Sequence, residues 1–345
     1  AYARKYISPS TGYMISWMYW LTWTATLGTE FTAAALLMQE WFPQISMWIW
    51  TLIFAVTIFG LNISSTRVFA ESEFWLALVK VITVIAFIVL GLLAIFGLIP
   101  FHGAQTAPLF SNLTPAQNVP KAINAAIWRL LIFFVGTIIV ISALLPFQLA
   151  GLGGDNVSNS PFVTVFNYIG IPYADDIIRF VIITALLSAA NSGLYAASRM
   201  MWSLSEQKLL PGVFATLSKS GTPIVALVVT MFGAIPGLLS EQFAPETIFK
   251  NLLGVAAFTM VIVWMSICLS QFNFRRQWYR SGHTVSDLKY AAPLFPIVPI
   301  LGFLFCFITC LSMAADPEMR AGFIGCLIFT ALCYLSYFIF YRNKA

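Results

Sequence analysis

Charged side chains are scarce in this sequence of 345 residues. Only 9% of the residues are Asp, Glu, Lys or Arg, whereas 60% are hydrophobic and 16% are aromatic. The mean hydropathy is +0.87. A water-soluble domain of this length could not bury so much apolar surface, so the composition excludes a soluble globular protein and indicates a membrane protein.

Histidine and cysteine are also few, which argues against the enzyme classes that depend on them. The only histidines, His102 and His283, fall in expected loops, and the sequence contains no HExxH or GxSxG pattern. The five cysteines all fall in apolar stretches, where we expect them to pack as small hydrophobic residues and not to form disulfides or a metal site. We therefore expect a protein that is not an enzyme and that holds no metal.

Apolar stretches of about 18 to 26 residues recur along the whole chain, a length that suits helices crossing a bilayer. The strands of a membrane β-barrel would instead alternate over only about 10 residues. The sequence predicts an all-α polytopic membrane protein whose nine spans cover residues 13–38, 45–64, 74–99, 124–146, 177–204, 223–240, 247–270, 294–315 and 321–341. In the sixth span, Gly233 and Gly237 are expected to allow close helix packing or a kink at Pro236.

The distribution of basic residues predicts the orientation of these spans and a gap in the chain. With residues 1–12 in the cytoplasm, the loop 100–114, which has no Lys or Arg, lies outside. If the next span followed directly, most of the later basic residues would also lie outside, which inverts the positive-inside rule. One additional crossing returns them to the cytoplasm, so we predict that a span is missing near Thr114 and Pro115.

One charged residue, Lys80, lies inside an apolar run that extends from Phe74 to Leu98. An ammonium at the centre of a bilayer costs a contested amount of free energy, from about 3 to more than 10 kcal/mol. One interpretation is that the side chain reaches the interface, because Lys80 lies only about 9 Å along the helix from Phe74. The other is an interior site where burial favours the neutral amine, which would make Lys80 the group that couples proton binding to transport.

Two spans carry polar side chains at helical spacing. These side chains are Ser16, Tyr19, Trp23, Thr26 and Glu30 in span 13–38, and Thr184, Ser188, Asn191, Tyr195 and Ser198 in span 177–204. Steps of three and four residues place each set on one helix face, which either bonds neighbouring helices or lines an aqueous cavity. Glu30 favours the cavity, since a carboxyl within a span needs water, a basic partner or a proton. We therefore predict a hydrophilic vestibule for a small polar solute and a proton.

Four runs of sequence resemble bacterial amino-acid permeases. They are Glu73–Val84, Pro115–Ala122, Ser188–Met200 and Phe274–Arg276. Over essentially its whole length the chain is similar to the amino acid–polyamine–organocation (APC) superfamily, in particular to the branch of S-methylmethionine, lysine and threonine permeases. The resemblance implies a transporter of the LeuT-type inverted-repeat fold with twelve helices, of which this chain holds nine.

The resemblance also implies how the helices are distributed along the chain. Residues 1–345 would form a single transmembrane transporter domain, with the family's third to fifth helices at 13–99 and its seventh to twelfth at 124–341. The sixth helix would be missing between residues 114 and 115, and the first two before residue 1. The main substrate contacts would then lie on the first and sixth helices, outside this sequence.

The resemblance assigns roles to several residues. Lys80 matches a lysine on the fifth helix that, in proton-coupled relatives, takes the place of a sodium ion. Ser188 and Ser192 would be the neighbours of its ammonium, and Glu30 matches an often acidic position that would share in proton coupling. The residues expected to contact substrate are Trp23, Thr26, Glu30, Ser188 and Asn191.

We therefore expect a secondary active transporter that takes up an amino acid by proton symport and alternating access. The proton would be the coupling ion, and no cofactor is expected. An amino-acid exchanger on the same fold is the alternative. The expected location is the bacterial cytoplasmic (inner) membrane, with lipids and an amino-acid substrate as partners and no nucleic acid. The identity of the amino acid and the oligomeric state are left open.

Overall fold

The computed structural model describes residues 2–98, 131–145, 161–170, 173–239, 245–288, 291–292, 294–317 and 319–341. Within these ranges the regular secondary structure is entirely helical. The helices are α1 (Tyr2–Tyr6), α2 (Pro9–Trp41), α3 (Met47–Ser64), α4 (Thr66–Ile95), α5 (Gly136–Leu144), α6 (Pro161–Ile169), α7 (Ala174–Glu206), α8 (Ile224–Thr230), α9 (Ile235–Leu238), α10 (Pro245–Arg280), α11 (Ile297–Ala315) and α12 (Arg320–Phe340). The predicted all-α class is confirmed.

Six helices of the described chain are long and apolar enough to cross a membrane, namely α3, α4, α7, α10, α11 and α12. Two shorter apolar helical stretches, Ile132–Leu144 and Ile224–Leu238, coincide with two further predicted spans. The remaining predicted span corresponds to α2, whose 33 residues include many Ser, Thr, Tyr and Trp side chains. Residues 114, 115 and 124–130, on which other predictions fall, lie outside the described residues.

The start of α4 differs from the predicted span, which began at residue 74. Ser65 caps the helix by accepting a 3.1 Å hydrogen bond from the backbone N–H of Val68. Arg67 and Glu71 then form an i,i+4 ion pair at 3.0 Å. These polar residues extend the helix by about two turns, so Lys80 lies about 21 Å along the axis from its first residue.

The residues form two compact units by their contacts. The first unit comprises residues 1–73 and 189–345, and the second comprises residues 74–188. Both α4 and α7 contribute residues to each unit.

In the first unit, α2 packs closely against the turn that connects α8 and α9. A Cβ on Gly28 would lie 2.6 Å from the carbonyl oxygen of Gly233, and a Cβ on Gly233 would overlap the carbonyl group of Thr24. A Cβ on Gly237 would lie 3.1 Å from the hydroxyl of Thr32. Only small residues permit this approach, so the close packing predicted for Gly233 and Gly237 is confirmed.

The second unit has its own apolar core around Phe87 of α4. The ring of Phe87 lies 4.5 Å from that of Phe162 and 5.5 Å from that of Phe166, both on α6. Val140 of α5 packs where a Cβ on Gly91 would otherwise stand. This packing holds the apolar half of α4, which carries Lys80, against α5 and α6.

Candidate functional site

Lys80 donates a hydrogen bond of 2.7 Å from Nζ to Oγ of Ser188, within the second unit. Ser188 lies on α7 and has no solvent exposure, whereas the Lys80 side chain is half-buried. The bond directs the ammonium toward an interior hydroxyl and not toward the end of its helix. The ammonium therefore bonds a buried hydroxyl, and the choice between the two interpretations of Lys80 stays a prediction.

Asn191 lies at the centre of a buried polar network in the first unit. It is fully buried, and its Oδ1 accepts a 2.7 Å hydrogen bond from Nδ2 of Asn62 on α3. Its Nδ2 donates to Oε2 of Glu73 at 3.2 Å and to Oγ of Ser72 at 3.4 Å. Both polar groups of this predicted substrate contact therefore bond protein side chains. Ser192, the predicted neighbour of the ammonium, is half-buried one residue further along α7.

Glu73 and Asn62 were not selected by the sequence analysis, although a signal for Glu73 exists. Glu73 precedes Lys80 by seven residues, so both belong to one face of a helix. Glu73 lies one residue before the predicted span that begins at residue 74, and the sequence analysis gave it no role. Asn62 is a single amide near the end of an apolar run, and only the structure shows that it is 5% exposed and bonded to Asn191.

The polar face of α2 separates into side chains bonded to their own helix and others directed away from it. Oγ1 of Thr26 donates to the carbonyl oxygen of Thr22 at 2.8 Å, so this hydroxyl is satisfied locally. Oγ1 of Thr22 in turn donates to Thr259 of α10 at 2.8 Å. Glu30 is half-buried one turn beyond Thr26. Thr22 does not belong to the predicted stripe, whereas the hydroxyls of the stripe residues Ser16 and Thr26 bond carbonyl oxygens of their own helix. The role of the stripe stays a prediction.

Trp23 is held by a glycine on α7. A Cβ on Gly193 would lie 2.7 Å from Cε3 of the indole, closer than such atoms approach in proteins, so the ring occupies a place that only glycine leaves open. The ring also packs edge-on against Tyr19 at 6.1 Å between centroids. Its Nε1 is buried and makes no hydrogen bond to the described residues. The structure thus fixes an indole N–H that could donate to a bound solute.

Two neighbouring cavities of about 470 and 430 Å³ lie in the first unit between α2, α7 and other helices. Both volumes fall within the range of small-molecule sites. Their shared lining residues are Gly12, Ser16, Tyr19 and Met200.

The smaller cavity joins the two polar stripes predicted from the sequence. Ser16 and Tyr19 of the first stripe and Tyr195 of the second line it together. Two guanidinium side chains, Arg4 and Arg199, also contact it. Trp23, Thr26 and Glu30 line neither of these two cavities.

Long apolar helices, buried polar networks and cavities of solute size together define a multi-pass membrane transport protein. The model of the family described as "Amino acid permease" matches residues 1–116 and 112–345. The chain belongs to this family, within the APC superfamily, as the resemblance predicted. It is accordingly a multi-pass protein of the bacterial cytoplasmic membrane that functions in amino-acid transport.

Three curated relatives illustrate the similarity. The putative histidine permease of Bacillus subtilis (strain 168) is 42% identical over 384 residues, covering 99% of this chain and 79% of the relative. The amino-acid permease RocC of the same organism is 40% identical, covering 100% of this chain and 80% of the relative. The lysine-specific permease LysP of Escherichia coli (strain K12) is 35% identical, covering 92% of this chain and 73% of the relative.

Proposed function

We propose that this protein takes up an amino acid by proton symport, with Lys80 as the residue that couples the proton to transport. The observation that carries the proposal is the 2.7 Å hydrogen bond from the Lys80 ammonium to the fully buried hydroxyl of Ser188. The ammonium has exchanged part of its hydration for a bond to an interior hydroxyl. We propose that Lys80 takes up and releases one proton in each transport cycle.

The mechanism follows from the strength of that bond in its two protonation states. A protonated Lys80 donates a charge-assisted hydrogen bond to Ser188 and holds α4 against α7 in the second unit. Release of the proton toward the cytoplasm leaves a neutral amine, whose bond to the hydroxyl is weaker. The equilibrium then shifts toward an inward-open state, so proton release and substrate release accompany each other. The protein needs no covalent step for this cycle, and we propose that it is not an enzyme.

Glu30 is the second residue proposed for proton coupling. Together with Trp23 it belongs to the polar face of α2, and we propose that both side chains face the substrate. The indole N–H of Trp23 is available to an acceptor on the substrate because no described residue bonds it. Two relatives are named for histidine and lysine, so these amino acids come first in a substrate panel.

Purified protein in liposomes distinguishes symport from exchange. Liposomes that contain a pH-sensitive dye and no amino acid are supplied with external substrate in the absence of a pH gradient. A symporter acidifies the lumen as substrate enters, whereas an exchanger transports only when the lumen already holds an amino acid. Uptake that depends on internal amino acid and carries no protons would overturn the proposal in favour of exchange.

We also propose that one membrane span of the natural protein is missing between residues 114 and 115. Three observations support this. The charge pattern requires an additional crossing, the family model matches in two segments that meet at residues 112–116, and the alignment to the histidine permease extends over 384 residues although the chain has 345. Sequencing the gene tests the proposal, which fails if the codons of Thr114 and Pro115 are adjacent.

A further inference from the structure

Two buried polar atoms near the Asn191 network make no hydrogen bond to the described residues. They are Oδ1 of Asn62 and Nε of Arg199. Asn62 is only 5% exposed, and its Nδ2 already donates to the carbonyl oxygen of Ile58 at 3.0 Å and to Oδ1 of Asn191 at 2.7 Å. Because buried polar atoms in proteins are nearly always paired, one acceptor and one donor here indicate a bound partner.

The orientation of both amides follows from the carboxylate at the end of the network. An ionised Glu73 only accepts hydrogen bonds, so the amide nitrogen of Asn191 must face it. The oxygen of Asn191 therefore faces Asn62 and requires the amide nitrogen of that residue. Flipping either amide would place two acceptors or two donors together. Oδ1 of Asn62 is consequently the atom that is left without a partner.

The guanidinium group of Arg199 lies over an aromatic ring and donates a hydrogen bond. The rings of Tyr195 and Phe69 are stacked, with 4.1 Å between their centroids and an angle of 6° between their planes. The guanidinium carbon of Arg199 lies 4.3 Å from the centroid of the Tyr195 ring. Nη2 of Arg199 donates to Oγ1 of Thr66 at 3.3 Å. The ring contact and the bond from Nη2 restrict the movement of the guanidinium group, and its Nε is buried without a hydrogen bond to the described residues.

Asn62 and Arg199 line the same small void. It leaves about 10 Å³ for the centre of a water molecule, which is about the volume that one water requires. The hydroxyl-bearing residues Thr66, Ser198 and Thr222 complete its polar wall. The volume of the void fits one small uncharged molecule. Such a molecule must accept a hydrogen bond from Nε of Arg199 and donate one to Oδ1 of Asn62.

We propose that one water molecule binds in this void, accepting a hydrogen bond from Nε of Arg199 and donating one to Oδ1 of Asn62. It completes a chain that runs from Arg199 through the water, Asn62 and Asn191 to Glu73. Each hydrogen bond in this chain is donated in the direction of the Glu73 carboxylate. The chain therefore has a cation, Arg199, at one end and an anion, Glu73, at the other. Such a polarised chain is stronger than its separate bonds, and it ties α3 to α4 and α7 within the first unit.

A structure of the full chain in lipid nanodiscs, at a resolution that shows ordered water, tests the inference directly. The expected result is one density peak within hydrogen-bonding distance of both Oδ1 of Asn62 and Nε of Arg199. The inference is overturned if the void holds no such peak, or if the two side chains bond each other directly. This outcome does not depend on which ion is coupled to transport.

A double-mutant cycle supplies a second, independent measurement. Asn62→Leu removes the acceptor, and Arg199→Lys removes the Nε–H donor. If a water molecule joins the two side chains, the double variant loses less in melting temperature than the sum of the two single variants. The reason is that either substitution alone already removes the water-mediated link, so the second has less left to remove. Arg280→Lys, at an exposed arginine, combined with Asn62→Leu serves as the control and should be additive. Equal additivity for both pairs contradicts the proposed link.

Discussion

At the scale of single residues, Lys80 and Trp23 owe their positions to small partners on α7. Lys80 bonds the hydroxyl of Ser188, and Trp23 packs on Gly193. The sequence singled out Lys80 because a charge in an apolar run is conspicuous. It did not single out Gly193, since the reason for a glycine there is the indole of another helix, which no local pattern reveals.

We predict that Gly193→Ala displaces the Trp23 indole. The added methyl would overlap Cε3, and overpacking of this kind typically costs about 1–3 kcal/mol. We expect a lower melting temperature, a shifted tryptophan fluorescence and a higher KM for uptake. Gly60→Ala is the matched control, because a Cβ on Gly60 meets no atom within 4 Å. If both variants behave alike, Gly193 does not position the indole.

A second prediction concerns Glu73, whose carboxylate accepts from the buried Asn191. Glu73→Gln keeps the shape but removes the charge, and charge-assisted hydrogen bonds contribute about 1 kcal/mol more than neutral ones. We expect thermal unfolding in detergent to show a loss of about that size. Glu71→Gln, which breaks only an exposed ion pair, should change stability by less than about 0.5 kcal/mol. Equal losses would show that the Asn191 network adds no stability through Glu73.

At the scale of helices, hydropathy predicts where the chain crosses the membrane, but not where each helix begins and ends. The span was predicted to begin at residue 74, whereas the helix begins at Thr66. A serine cap and an ion pair stabilise these first turns, whose residues are too polar for hydropathy to detect. Likewise α10 continues to Arg280, beyond the predicted end at residue 270. One of these extensions contains Glu73, which accepts a hydrogen bond from the buried Asn191.

The packing of α2 against the turn before α9 carries a third prediction. Gly233→Ala would place a methyl group against the backbone carbonyl of Thr24, which cannot move aside as a flexible side chain would. We expect a loss of about 1–3 kcal/mol or more in a thermal unfolding assay. Gly254→Ala in α10 has open space around its Cβ and should be neutral or slightly stabilising. An unchanged melting temperature for Gly233→Ala would refute the close approach.

At the scale of the whole molecule, composition alone fixed the class, and the resemblance of four runs of residues predicted the family that the comparisons then showed. The roles of the site residues could be predicted only partly. The residues expected to contact substrate share helix faces, but the structure divides them between local bonds, a buried network and an indole with a free N–H. Side-chain pairing of this kind depends on neighbouring helices, which a single periodic pattern does not specify.

The central claim is that Lys80 couples proton movement to amino-acid uptake. The most direct measurement compares uptake into proteoliposomes with and without an inwardly directed proton gradient, for the native protein, Lys80→Ala and the exposed-lysine control Lys219→Ala. We predict that the gradient accelerates uptake by the native protein and the control. Lys80→Ala should bind substrate but transport it at the same rate with and without the gradient. Gradient-driven uptake that persists undiminished in Lys80→Ala would contradict the account.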